Sequence, residues 1–333
     1  MRLSIFSILD EEAPRSEEPG SPQVDRYQQT LGMVQEADRL GFDTFWVAEH
    51  HFHHGGTLPS PPVWLAAAAQ VSRRIRLGPL VAVLPFHNPI SLAEDYALVD
   101  RLSGGRLEMG VGSGNTPPEF PGFGLDFTDS KPLFQERLPL LLEAWRGNPV
   151  PSPSGAPVRI NVRPVQRPHP PVWIAASQVG AIRWIAQNGF RWALIPYAIV
   201  SNYRELRTLV QEYHDHTPSS GSGRVLAAFH VYMADPPSAG IEALERYLGA
   251  RLRTQSERFS EKARRDPEGS TVSGLIRRGL VLVGSEEEVG RRLHELEDCG
   301  ITDMAAIVDF GGLPTALVRE SMRALARLIR GTP

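Results

Sequence analysis

Three times along this chain a stretch with helical spacing ends on glycine and passes at once into a short apolar segment. Arg39-Leu40-Gly41-Phe42-Asp43 leads into residues 44–48, Gln187-Asn188-Gly189-Phe190-Arg191 into 192–196, and Asp298-Cys299-Gly300-Ile301-Thr302-Asp303 into 304–310. Glycine suits the left-handed position that closes a helix, and the apolar residue beside it packs back on the last turn. A joint of this kind, repeated, is the helix-to-strand connection of a parallel α/β fold. Helix starts are as legible. Ser21-Pro22, Ser60-Pro61 and Asn88-Pro89 each place a capping side chain before a proline suited to the first turn, and Ser285 with Glu288 forms a capping box.

Between these signals lie eight apolar runs of strand length, at 3–9, 44–48, 75–84, 106–111, 172–176, 192–196, 225–234 and 304–310. Strands without a polar face are buried on both sides, and alternation with helices implies right-handed crossovers. Eight β/α units favour a closed (β/α)8 TIM barrel over an open doubly wound sheet, and 333 residues accommodate one such domain, 1–333, with insertions. Two stretches break the repeat and are expected as rim insertions: 147–171, rich in proline, and 249–280, polar and rich in arginine. The second reads either as a gate over the site or as a loop without a role.

Lysine and arginine number 35 against 38 aspartates and glutamates, a formal charge of −3, so neither nucleic acid nor an anionic membrane is expected as partner. The apolar run at 3–9 is cut off by Asp10, Glu11 and Glu12, too soon for a signal segment or a span. A single cysteine, Cys299, precludes an internal disulfide and fits a reducing, cytoplasmic setting; beside Gly300 and with no activating cation next to it, it reads as structural.

Chemistry concentrates at three strand ends. The first is Glu49-His50-His51-Phe52-His53-His54. Strand alternation would separate Glu49, His51 and His53 from His50, Phe52 and His54, and the helical H-E-x-x-H spacing is missing, so no metal site is expected. The second is Gly110-Val111-Gly112-Ser113-Gly114-Asn115, where Asn115 stands in place of the third glycine of a dinucleotide fingerprint and residues 116–122 open no helix. Either a tight turn or a close backbone approach to a ring or phosphate accounts for these glycines. The third is Ile174-Ala175-Ala176-Ser177-Gln178-Val179, where a strand stops at a helix amino terminus that could hold a phosphate, with Ser177 as cap or ligand. His169, between prolines, reads as a connector residue, and His230 as a lumen or an ordinary buried histidine.

At these segments the chain resembles the bacterial-luciferase-like, flavin-dependent monooxygenases. The resemblance is carried by Gly41-Phe42-Asp43-Thr44-Phe45-Trp46-Val47-Ala48-Glu49-His50-His51-Phe52, Val83-Leu84-Pro85-Phe86-His87-Asn88-Pro89, Leu102-Ser103-Gly104-Gly105-Arg106-Leu107, Gly112-Ser113-Gly114, Pro171-Val172-Trp173 and Val283-Gly284-Ser285, in the family's order. It implies a barrel whose carboxyl face binds reduced flavin mononucleotide supplied by a separate reductase, or in one branch a deazaflavin (F420). It implies O2 and a small organic molecule as co-substrates, His50 as the acid/base residue, and a non-proline cis bond at Leu80–Val81 against the isoalloxazine. Glu49, Gly112 and Ser113 would line the flavin. Lys131 with Ala176, Ser177, Gln178 and Val179 would hold its phosphate. Gly112 and Ser113 replace the cysteine and arginine of light-emitting relatives, so oxidation of another small molecule is expected. The rival readings are a deazaflavin-dependent dehydrogenase and a catalytically silent flavin-binding partner subunit. A homodimer is the expected assembly.

Overall fold

Each of the eight apolar runs contributes to one parallel sheet. The computed structural model describes residues 1–10, 26–53, 55–152, 155–249, 266–267, 269 and 271–330. In chain order these form β1 (Arg2–Ser7), α1 (Arg26–Leu40), β2 (Thr44–Val47), α2 (Pro61–Val71), β3 (Arg76–Pro79), β4 (Ala82–Val83), α3 (Pro89–Leu102), β5 (Met109–Gly112), α4 (Ser130–Arg146), β6 (Val172–Ala175) and α5 (Val179–Gln187). There follow β7 (Arg191–Leu194), α6 (Tyr203–His216), β8 (Val225–Tyr232), α7 (Pro237–Leu244), α8 (Val272–Arg277), β9 (Leu282–Val283), α9 (Glu286–Asp298), β10 (Asp303–Ile307) and α10 (Thr315–Arg330). The strand order is β3-β2-β1-β10-β8-β7-β6-β5-β4. Its two ends belong to the same expected strand, 75–84, and a parallel bridge between Leu77 and Leu107 links β3 to the segment entering β5, so the sheet is a barrel.

Two departures from the expected strands matter. Segment 75–84 is interrupted between β3 and β4, where the Leu80–Val81 bond is cis as expected. A further strand, β9, extends β8 by pairing Val231 and Tyr232 with Leu282 and Val283. The helix signals mostly hold. Gly41, Gly189 and Gly300 take φ of 92°, 72° and 89° at their joints. Asn88 Oδ1 accepts from the Ile90 and Ser91 amides, and Ser285 and Glu288 cap each other. Ser60 precedes α2 without a side-chain cap bond, and Ser21-Pro22 lies outside the described residues.

The registers fix which residues point into the lumen. Parallel partners share a face, and Trp46 of β2 meets Trp173 of β6 edge to face across the barrel, with ring centroids 6.0 Å apart. From Trp46 the inward phase runs through Phe6, Ile307 and His230, and through Asp303 and Leu226 to Ala193, Ala175 and back to Trp173. The lower lumen is filled by charge in pairs. Glu108 forms an ion pair with Arg76 at 2.6 Å and accepts from Arg191 and the Trp173 indole at 2.7 Å, Arg224 pairs with Asp303, and Arg191 and Arg224 lie over the Trp173 ring. Above the two tryptophans the inward positions are small: Ala48, Gly112, Ala175 and Ala193. The barrel therefore has a packed floor, and its inward side chains become small toward the carboxyl ends of β5, β6 and β7.

Segment 147–171 connects α4 to β6, which places it at the amino-terminal rim, away from the strand ends expected to carry chemistry. There the Val165 and Gln166 amides donate to buried Asp100. The second insertion, 249–280, follows β8 on the carboxyl side; of the expected gate, 250–265, 268 and 270 lie outside the described residues, and its later part forms α8. No helix among the described residues is long and apolar enough to cross a membrane.

Candidate active site

Strand β2 delivers the first group of side chains. Past Val47 the chain leaves the ladder, and at Phe52 it takes φ 63°, which folds the histidine run back on itself. Strand alternation therefore fails as a guide here: His50 and His53 converge instead of separating by face. Both ring nitrogens, His50 Nδ1 at 3.0 Å and His53 Nε2 at 2.9 Å, contact Oε1 of Glu119, which also accepts from the His51 amide at 3.0 Å. The other side of the turn is built on Glu49. It takes His51 Nε2 at 3.1 Å, His87 Nε2 at 2.7 Å and the Val83 amide at 3.0 Å, so protein donors engage both its oxygens. His51 thus joins the two clusters, by its ring to Glu49 and by its amide to Glu119.

Burial alone would raise the pKa of both carboxyls, but the donors outweigh it. Glu119 is held at about 2 by His50, His53 and the His51 amide, and Glu49 is lowered by His51, His87 and Val83. Glu119 sits on a 3-10 turn, Pro117–Phe123, in a stretch where no helix is expected from sequence. Fully buried Phe120 anchors that turn, and Phe86 stacks on Phe123 at 4.4 Å while the His51 ring meets Phe123 edge-on at 4.7 Å. These rings shield the two carboxylates from water. On its other side His50 is covered closely by Gly56, where an added Cβ would stand 2.4 Å from the imidazole Cδ2.

The remaining expected residues gather on the adjoining strand ends. Gly112 sits against Val81, and an added Cβ would lie 2.7 Å from the Val81 Cγ2, so the approach of β5 to this bend needs glycine. Ser113 follows at the half-buried rim. Lys131, in the first turn of α4, donates to Gln178 Oε1 at 3.0 Å, which brings it beside Ala176–Val179 at the start of α5. The expected ring-side residues and the expected phosphate-side residues therefore lie on neighbouring strand ends of one barrel mouth.

Sequence reading missed the opposite wall. Ser7, at the end of β1, donates to Asp309 beyond β10, and the Gly311 amide donates to Asp10 at 3.0 Å. Burial, with Asp10 adding repulsion, pushes the Asp309 carboxyl up to about 7. His230 of β8 faces the lumen and lies among the rings of Tyr197, Tyr247 and Phe310 at 5.3–5.7 Å. His169 bonds its neighbouring Pro170 carbonyl, as a connector would, and Cys299 is buried with its thiol pKa raised by burial. No sequence signal singled out Glu119, a lone glutamate among prolines and phenylalanines, because its partners lie 66 to 69 residues away.

Ligand atoms of His50, His53 and Glu119 fall within 4.8 Å of one another, close enough to suggest a cation. However, the Gly55 amide donates to His53 Nδ1 at 3.1 Å, which leaves the ring hydrogen on Nε2, aimed at Glu119. As it stands the trio is a hydrogen-bond cluster.

A family profile described as luciferase-like monooxygenase matches residues 1–303. Protein y4wF of Sinorhizobium fredii, itself uncharacterised, is 32% identical, covering 94% of this chain and 92% of that protein. The oxygenase component of the flavin-dependent trigonelline monooxygenase of Acinetobacter baylyi is 25% identical, covering 87% and 77%. Among solved structures, the oxygenating constituent of 3,6-diketocamphane monooxygenase of Pseudomonas putida, in complex with FMN, superposes with a TM-score of 0.78 at 18% identity, covering 99% and 97%. The fold, the order of the strand-end segments and these likenesses agree: this chain belongs to the luciferase-like, flavin-dependent monooxygenase family and is an oxidoreductase.

Proposed function

We propose that the protein oxidises a small organic substrate with O2 and reduced flavin mononucleotide, received from a separate reductase, and that His50 is its acid/base residue. The observation that carries this reading is the position of the His50 imidazole. It stands partly exposed just past the carboxyl end of β2, with Nδ1 on a buried carboxylate. Naming of the Acinetobacter relative as an oxygenase component supports the separate reductase.

The residues present fit a flavin mononucleotide. Small inward side chains at Ala48, Gly112, Ala175 and Ala193 leave width for a flat ring, which Leu80 and Val81 would back. The Lys131 ammonium and the amides opening α5 would neutralise a phosphate. Bound there, reduced flavin supplies two electrons for activating O2. The protein's part is to hold that group, to exclude water with the Phe86, Phe120 and Phe123 rings, and to move protons at His50, whose imidazole suits transfer near neutral pH. Glu49 holds its place below the site through Val83, His51 and His87. The expected homodimer stays part of this reading, with exposed Val63 on α2 and Leu98 and Leu102 on α3 as apolar positions on two neighbouring helices.

His50→Ala should leave flavin affinity within about three-fold of wild type and lower turnover by about 100-fold or more. Unchanged turnover would remove the assigned role and favour a silent partner subunit. Titration with flavin mononucleotide and the deazaflavin in parallel decides the cofactor. Tight binding of the deazaflavin alone would replace oxygenation by hydride transfer.

A further inference from the structure

Glu119 moves no proton in the reaction proposed for His50, yet three partners converge on one of its oxygens. The residue is 2% exposed, and three contacts at 2.9–3.0 Å fall on its single oxygen Oε1. An ionised carboxylate only accepts, so all three partners donate: the His51 amide, His53 Nε2–H and His50 Nδ1–H. The His53 tautomer is set independently, since its Nδ1 accepts from Gly55. For His50, donation from Nδ1 places the lone pair of the neutral ring on Nε2. Glu119 on one side and the close backbone of Gly56 on the other hold the ring in that attitude.

We propose that Glu119 is the positioning residue of this site: by taking the Nδ1 hydrogen of His50 it presents Nε2 to the reacting centre and stabilises the imidazolium formed when Nε2 gains a proton. The proposal rests on the reading of His50 as proton carrier. The balance is simple. Nε2 accepts a proton and later returns it, Nδ1–H stays on the carboxylate, and Glu119 keeps its negative charge throughout. A carboxylate that fixes a histidine tautomer in this way acts through the histidine and touches no substrate.

The test uses flavin-free protein labelled with 15N in histidine, with the His50 signals assigned by their loss in His50→Gln. In wild type the neutral ring should be the Nδ1–H tautomer, a reading that needs no turnover and no Glu119 variant. Glu119→Gln keeps the size and one acceptor oxygen but removes the charge. It should lower the His50 pKa by about 1 unit or more, move the acidic limb of the kcat profile with it, and reduce kcat about ten-fold or more with flavin affinity little changed. Glu119→Asp should recover part of the shift. An Nε2–H tautomer in wild type, or an unchanged His50 titration in folded Glu119→Gln, overturns the proposal alone. Undiminished turnover in His50→Ala overturns the reading of His50 and, with it, the positioning role of Glu119 in turnover.

Discussion

Buried carboxyls at this barrel mouth are shifted in opposite directions, and the difference lies in how far donors offset the cost of burial. Glu119 and Glu49 each receive three hydrogen bonds and stay ionised, whereas Asp309 receives one from the Ser7 hydroxyl and is pushed up to about 7. A carboxyl whose folded pKa exceeds its unfolded value weakens the fold as pH rises from about 4 through 7, because the folded state binds the extra proton over that window. Asp309→Asn removes this dependence. Its stability relative to wild type should rise between pH 4 and pH 8 by up to roughly 4 kcal/mol, read from denaturant unfolding at each pH. A stability difference that stays flat over that range would contradict the elevated pKa. Little of this was legible in sequence. His50 and Glu49 stand out from their strand-end position, but Glu119 and Asp309 acquire meaning only from neighbours supplied by other strands.

At the scale of elements, helix starts carry the geometry proposed to hold the phosphate. The first turns of α4 and α5 come together because Lys131 reaches Gln178, so a cation and a set of amides converge although 47 residues separate them. Loss of Lys131 should weaken binding of a phosphate-bearing flavin by about three- to ten-fold and leave riboflavin unaffected, since one exposed charge-assisted contact is worth about 1 kcal/mol. Fluorescence titration with the two flavins measures this, and equal losses for both would take the phosphate away from this corner. Sequence located these elements well because glycine joints, prolines and caps act within a few residues. It erred where a local rule met a tertiary exception. The histidine run does not alternate as a strand, because Phe52 turns it, and 116–122 do contain a short 3-10 helix, held by the burial of Phe120.

For the molecule as a whole, the lumen divides into a charged floor and an upper part with small inward residues on β5, β6 and β7 and the His230 ring among aromatics on β8. Glu108 ties Arg76, Arg191 and Trp173 together at the floor while nearly buried. Glu108→Ala would remove the carboxylate shared by two partly buried arginines and the Trp173 indole, which should cost up to about 3 kcal/mol of stability, seen in thermal or denaturant unfolding. Flavin affinity of the folded fraction should not change, since the floor lies at the far end of the strands from His50. A selective loss of flavin binding without loss of stability would show that floor and mouth are not separate. The amino-acid sequence by itself determined the eight strands and their parallel pairing, because hydrophobic period, caps and glycine joints are local and strand polarity follows from them. Tertiary structure alone decided which carboxylate meets which imidazole, where the lumen is filled and where it is open, and on which rim each insertion lies. Those outcomes depend on register and on contacts across tens to hundreds of residues, and a one-residue slip of register would reverse every inward face.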